Sequence, residues 1–151
     1  MLNPAQRDFV VSILDEAADL TVATLRADGW PQATTVSFAN DGLAVYFGTN
    51  AESQKAQNIA RDNRVSVTVN CPYDGDWSAI RGVSIGGRAQ RVTASDEAAR
   101  VGALMAKKFP QISQFVDVGA GFEMALFRID AEIISVLDYS KGFGHVDLLT
   151  V

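Results

Sequence analysis

The sequence predicts a mainly β domain, six antiparallel strands in a closed or nearly closed small barrel with flanking helices. Three observations carry this. Apolar residues alternate with a period of two over much of the chain. Asp28-Gly29 and Asp41-Gly42 place residues tolerant of positive φ between alternating runs, as tight hairpins require. No strand–helix–strand repeat of a doubly wound fold is present.

The first element is a helix over about residues 4–18, with Asn3 as N-cap, Pro4 in the first turn, and Phe9, Val10, Ile13, Leu14 and Ala17 at helical spacing. Leu20 to Arg26, Gln32 to Ala39 and Leu43 to Phe47 follow as strands, read as an antiparallel meander. A short helix spans about 53–63. Arg64 to Cys71 then sets Val65, Val67 and Val69 on one face of a strand.

Pro72 to Trp77 reads as a loop, and Ser78 to Thr93 as one long strand. Its Gly82, Gly86 and Gly87 mark a bulge, a bend or a close approach. Ser95, with Asp96 and Glu97, is expected to cap a helix ending near Phe109-Pro110, with a short helical turn at about 111–116. The last strand, Phe122 to Tyr139, carries Phe127, Ile129, Ala131, Ile133 and Leu137 on one face. Its other face turns apolar at Ile134 and Val136, which predicts cover by a loop or a second subunit there.

At 151 residues the chain is read as one domain over 1–151. A net charge of −5 and a pI near 4.7 argue against nucleic acid or an anionic membrane as partner. One cysteine, Cys71, allows no intrachain disulfide, and one histidine, His145, allows no His-cluster metal site. A polar N-terminus without a signal-like apolar run, and no apolar segment of spanning length, lead to the expectation of a cytoplasmic protein.

The most informative stretch runs from Phe47 to Asn58, a strand end entering a short helix. Lys55 is the only lysine before Lys107, and an ammonium in a first helical turn has the wrong sign for the helix dipole unless an anion is bound there. The stretch therefore reads as an anion site.

The runs LTVATLRADGWPQATTVSF, LAVYFGTN, SQKAQNIARDNRVSVTV and RGVSIGGRA together resemble the pyridoxamine 5′-phosphate oxidase-like family of FMN-binding split β-barrels. The resemblance covers about Leu20 to Val92, and its most specific part is Thr-Asn-x-x-Ser-x-Lys-x-x-Asn. It implies a homodimer with FMN at the subunit interface and a small-molecule substrate oxidised or reduced by hydride transfer. By position it places Thr34, Thr35, Val36 and Ser37 along the flavin ring, and Gly48, Thr49, Ser53, Gln54 and Lys55 around the ribityl chain and phosphate. Trp77, Arg81 and Gly82 would approach from the partner subunit.

The chain also departs from that pattern. Ala33 and Phe38 stand where relatives carry basic residues at the ends of the second-strand motif, and Gly82 stands where they carry glutamine. His145 remains from a C-terminal arginine–histidine pair. These losses argue against pyridoxal-phosphate synthesis and for a small apolar or uncharged substrate. No side chain is assigned as general acid or base; His145 is either folded over a site or part of a surface tail. A flavin-binding or stress-associated module with little turnover, and the same barrel carrying deazaflavin F420 or haem, stand as alternatives.

Overall fold

The computed structural model describes residues 1–114 and 123–151. Asn3 and Gln6 form a reciprocal capping box at the start of α1 (Pro4–Glu16), with Pro4 in the first turn as expected. The helix ends two residues short of the predicted boundary because Ala17 takes an extended conformation. Val10, Ile13 and Leu14 are fully buried and plug one end of the sheet.

β1 (Asp19–Leu25) and β2 (Pro31–Ser37) form the first hairpin, β3 (Ala39–Asp41) and β4 (Ala44–Asn50) the second, and Gly29 and Gly42 take positive φ between them. The three-strand meander is not formed. The sheet order is β2-β1-β5-β6-β7-β4-β3, so the two hairpins lie at opposite ends of the sheet. Phe38 and Ala39 are consecutive buried residues, which breaks the alternation, and there the chain leaves one edge for the other.

After α2 (Gln54–Arg61), β5 (Arg64–Asn70) alternates as predicted, with its three valines inward. A 3-10 turn, Trp77–Ala79, precedes β6 (Arg81–Arg91), so the long strand begins later than the sequence suggests. α3 (Ser95–Lys108) is capped by Ala94 without a side-chain hydrogen bond, and Ser95 is its first helical residue. Asp96 and Glu97 still sit in its first turn and Lys107 and Lys108 in its last, the arrangement its dipole favours. The helical turn predicted after it is Ile112–Gln114; the predicted residues 115 and 116, and Phe122 of the last strand, lie outside the described residues.

The last long strand is β7 (Met124–Asp138), and β8 (Val146–Thr150) pairs with it, which brings the sheet to eight strands. Gly86 pairs with Ile133 but Gly87 with Ala131, leaving Glu132 as the extra residue of a β-bulge. The bulge inverts the faces of β7. Phe127 and Ile129 are buried before it, Ile134 and Val136 after it, and Ile133 is turned outward at 43% exposure. Ile134 and Val136 are therefore core residues, and the apolar outer face inferred from them is a change of register. Outward on the β7–β8 pair instead are Ile133, Val146 and Leu148.

The glycines at the bulge have a steric reason. A Cβ on Gly87 would lie 2.3 Å from the Asp130 carbonyl oxygen. Gly87→Ala is expected to lower the unfolding free energy by about 1–3 kcal/mol, the usual scale of overpacking, measured by urea denaturation; an unchanged midpoint would contradict this account of the bend.

Candidate functional site

The two ends of the sheet approach one another where β2 nears β4, and α2 bridges that seam. Asn58, fully buried, fixes the helix. Its amide donates to Thr24 Oγ1 of β1 at 2.9 Å and to Gln32 Oε1 of β2 at 3.2 Å. Its carbonyl accepts from Gln54 Nε2 at 2.8 Å and from the Arg61 guanidinium at 3.3 Å. All four hydrogen-bonding positions of the amide are used, so a buried polar group becomes a rigid tie among three elements.

The start of α2 leaves hydrogen-bond donors open among the described residues. Ser53 is its N-cap, and Ser53 Oγ accepts from Ala56 N at 3.1 Å and from Thr49 Oγ1 at 3.1 Å. With both contacts accepted, the Ser53 hydroxyl proton is left to donate outward. The amides of Gln54 and Lys55 have no partner among the described residues. No acidic residue lies in the first turn; Glu52 precedes the cap and is exposed.

Lys55 is half-buried, and no carboxylate of the described residues lies within ion-pair distance of it. Burial holds its pKa below the ordinary lysine value. A cation partly withdrawn from water without a counter-charge is a standing cost that a bound anion removes. The donor set of hydroxyl, amides and ammonium fits a phosphate group such as that of FMN.

The other predicted residues fall into two groups. Thr34 and Val36 turn toward the protein, whereas Thr35 and Ser37 turn outward, with Thr35 facing Thr21 and the Ser37 hydroxyl donating to Asp19 Oδ1 at 3.2 Å. β2 has ladder partners on β1 alone among the described residues, so its second backbone edge is free. Val36, Ser37 and Gly48 meet at one cavity, whose far wall is α3. Gln54 belongs to the group at the seam, but its amide turns back to Asn58.

Trp77, Arg81 and Gly82 are not drawn to the seam within one chain. Trp77 stacks on Phe143 at 5.5 Å, Arg81 pairs with Glu16 of α1, and Gly82 faces β5, where a Cβ would lie 2.6 Å from Asn70 Oδ1. His145 also lies elsewhere, its Nε2 3.0 Å from Asp147 Oδ1 without the alignment of a hydrogen bond. The sequence reading missed two residues. Asn58 was visible in the motif without its role. Lys108 brings its ammonium to 3.8 Å from the ring of Phe38, the residue that replaces a basic one.

An antiparallel split barrel with a serine-capped helix start and a half-buried lysine at its seam is the class of protein that fold and site define. The chain belongs to the pyridoxamine 5′-phosphate oxidase family, whose model matches residues 7–136. It is 39% identical over 83 residues to a pyridoxine/pyridoxamine 5′-phosphate oxidase of Pseudomonas entomophila, a match over 54% of this chain and 36% of that protein. It thus spans about a third of that relative's length.

Among solved structures, it resembles a haem-binding protein of Mycobacterium smegmatis with a TM-score of 0.81 and 21% identity, over 99% of this chain and 60% of that one. A conserved hypothetical protein of Mycobacterium tuberculosis gives 0.74 and 28%, over 100% and 92%. The haem storage protein of Vibrio cholerae gives 0.67 and 20%, over 83% and 89%. No helix among the described residues is long and apolar enough to cross a membrane.

The tie at Asn58 yields a direct expectation. Asn58→Ala leaves the buried Thr24 hydroxyl and Gln32 without their donor, at a cost of about 1–3 kcal/mol, measurable as a lower denaturation midpoint. Thr24→Val added to Asn58→Leu removes the buried hydroxyl together with its donor and is expected to cost less than Asn58→Leu alone, because the remaining partners Gln32, Gln54 and Arg61 are not fully buried.

Proposed function

We propose that this chain is an FMN-dependent oxidoreductase acting on a small, uncharged molecule. The observation that carries this is Lys55, a half-buried ammonium without a carboxylate partner among the described residues, beside a serine hydroxyl free to donate. Family membership supports the same reading. Lys55, Ser53 and the first amides of α2 hold the phosphate, Thr49 orients Ser53, and the free backbone edge of β2 from Thr34 to Ser37 lies along the ring. When bound, FMN supplies hydride transfer, and the protein's part is to bind, orient and exclude water.

The functional unit in this reading is a homodimer. The exposed apolar residues Ile133, Val146 and Leu148 on the β7–β8 face, and the exposed Trp77–Phe143 stack, support it. Such a dimer would let Trp77 and Arg81 act on a neighbouring site.

Haem is the second reading, supported by the names of two structural relatives. It requires an axial ligand, and the single histidine sits beside Asp147, away from the seam. The absorption spectrum of the purified protein and mass analysis of the released cofactor separate the readings. A flavin spectrum is expected. A Soret band lost in His145→Ala would establish haem instead, and absorption shifted to shorter wavelength a deazaflavin.

Lys55→Ala is expected to raise the FMN dissociation constant about tenfold or more, as the loss of a charge-assisted hydrogen bond costs roughly 1.5–3 kcal/mol; unchanged affinity in a fluorescence titration would overturn the assignment. Because burial lowers the Lys55 pKa, the free protein loses this charge at a lower pH than an exposed lysine would. FMN affinity should therefore fall as pH rises through that depressed value, and Lys55→Arg should flatten the decline.

A further inference from the structure

Gly102 lies in the middle of α3, where glycine is a poor helix former, and neither backbone nor neighbours demand it. It carries no positive φ, and a Cβ built on it meets nothing within 4 Å. The open space it faces is a cavity of about 410 Å³ between α3 and the seam. Val36, Val101, Met105, Met124 and Leu126 give this cavity apolar walls, Ile112 closes one side, and Gly48 lies at its β4 edge.

The single polar side chain in this lining among the described residues is Ser37, and its hydroxyl donates to Asp19. Among the described residues no charged side chain lines the cavity. The nearest ammonium of α3 at that end, Lys108, points the other way, within 3.4 Å of the Leu14 carbonyl at the end of α1 and facing Asp15 and Asp19. Val36 and Ser37 belong both to this cavity and to the strand edge assigned to the flavin ring.

We propose that this cavity is the substrate pocket and that it takes an uncharged, planar, largely apolar molecule, its volume lying in the range of small-molecule sites. The assignment of the bound molecule as substrate rests on the flavin reading; its binding does not. Gly102 keeps the helix wall low so that a flat ligand can lie between α3 and β2. A phosphorylated or carboxylated ligand is disfavoured, because its charge would be desolvated against Val101, Met105 and Leu126 with no counter-charge among the described residues.

The test is equilibrium dialysis of naphthol and naphthalenesulfonate, similar in shape and different in charge, against the full chain with and without FMN. Wild type is expected to prefer naphthol by about tenfold or more, since the sulfonate must give up hydration without a partner. Gly102→Phe, which fills the cavity from an unstrained position, should weaken naphthol binding by a similar factor and leave FMN affinity unchanged. Met105→Lys, a second variant independent of the first, should reverse the preference toward the sulfonate.

No naphthol binding by wild type, or binding that neither variant alters, overturns the proposal. If FMN fails to bind while naphthol is captured and lost in Gly102→Phe, the flavin reading fails and the ligand pocket stands. Gly102→Ala should raise the denaturation midpoint and weaken naphthol binding only slightly; a lower midpoint would mean that the glycine serves the fold rather than the cavity.

Discussion

A sheet can curl until its ends meet only if its longest strands bend, and here the bend is concentrated where Gly86 and Gly87 face the stretch from Asp130 to Ile133. Backbone approaches backbone so closely at this point that Gly87 admits no side chain. The extra residue, Glu132, also marks a change of neighbours. Before it the free edge of β7 pairs with β4; after it the same edge pairs with β8. The barrel is split there, and the β3–β4 hairpin is released toward β2 to form the seam.

Two polar ties convert that geometry into a site. Asn58 holds α2 across β1 and β2, and Glu97 holds α3 against β4 and β7 by accepting from Tyr46 Oη at 3.0 Å and Arg128 at 2.8 Å. The Arg128 guanidinium, foremost among its neighbours, holds the Glu97 carboxyl below its ordinary pKa. Both ties have their partners, so they fix positions without leaving a buried donor unsatisfied. Lys55 is the contrast. Among the described residues it has no carboxylate partner, and the Gln54 and Lys55 amides and the Ser53 hydroxyl proton beside it in the chain are likewise open.

Local features were legible in the sequence because local chemistry determines them. Asp28-Gly29 and Asp41-Gly42 specify turns on their own, Asn3 with Gln6 specifies a cap, and the run from Thr49 to Asn58 specifies a helix start poor in acid. What was not legible depends on contacts distant in the chain. The order of hairpins followed from Phe38 and Ala39 being buried in succession, and the face reversal of β7 followed from a bulge set by β6. The α3 cavity is made of residues from five separate elements, and no spacing in α3 announces it.

The replacement of basic residues reads differently once packing is considered. Phe38 is fully buried among the core side chains, so a position where the family resemblance leads one to expect a charge closes the core. A cation still reaches it, from Lys108 at the end of α3, but that ammonium stacks on the Phe38 ring and points toward the Leu14 carbonyl. Burial lowers the Lys108 pKa, against the opposing pull of Asp15 and Asp19. Its charge is committed to joining α3 to the end of α1, on the side away from the cavity. The charge at this corner therefore serves helix packing, and the Lys55 end of the seam is separated from an apolar end at Val101 and Met105. On the reading proposed above, one cavity wall shared with β2 and a separate lysine at the start of α2 would let the protein bind its cofactor by charge and its substrate by shape.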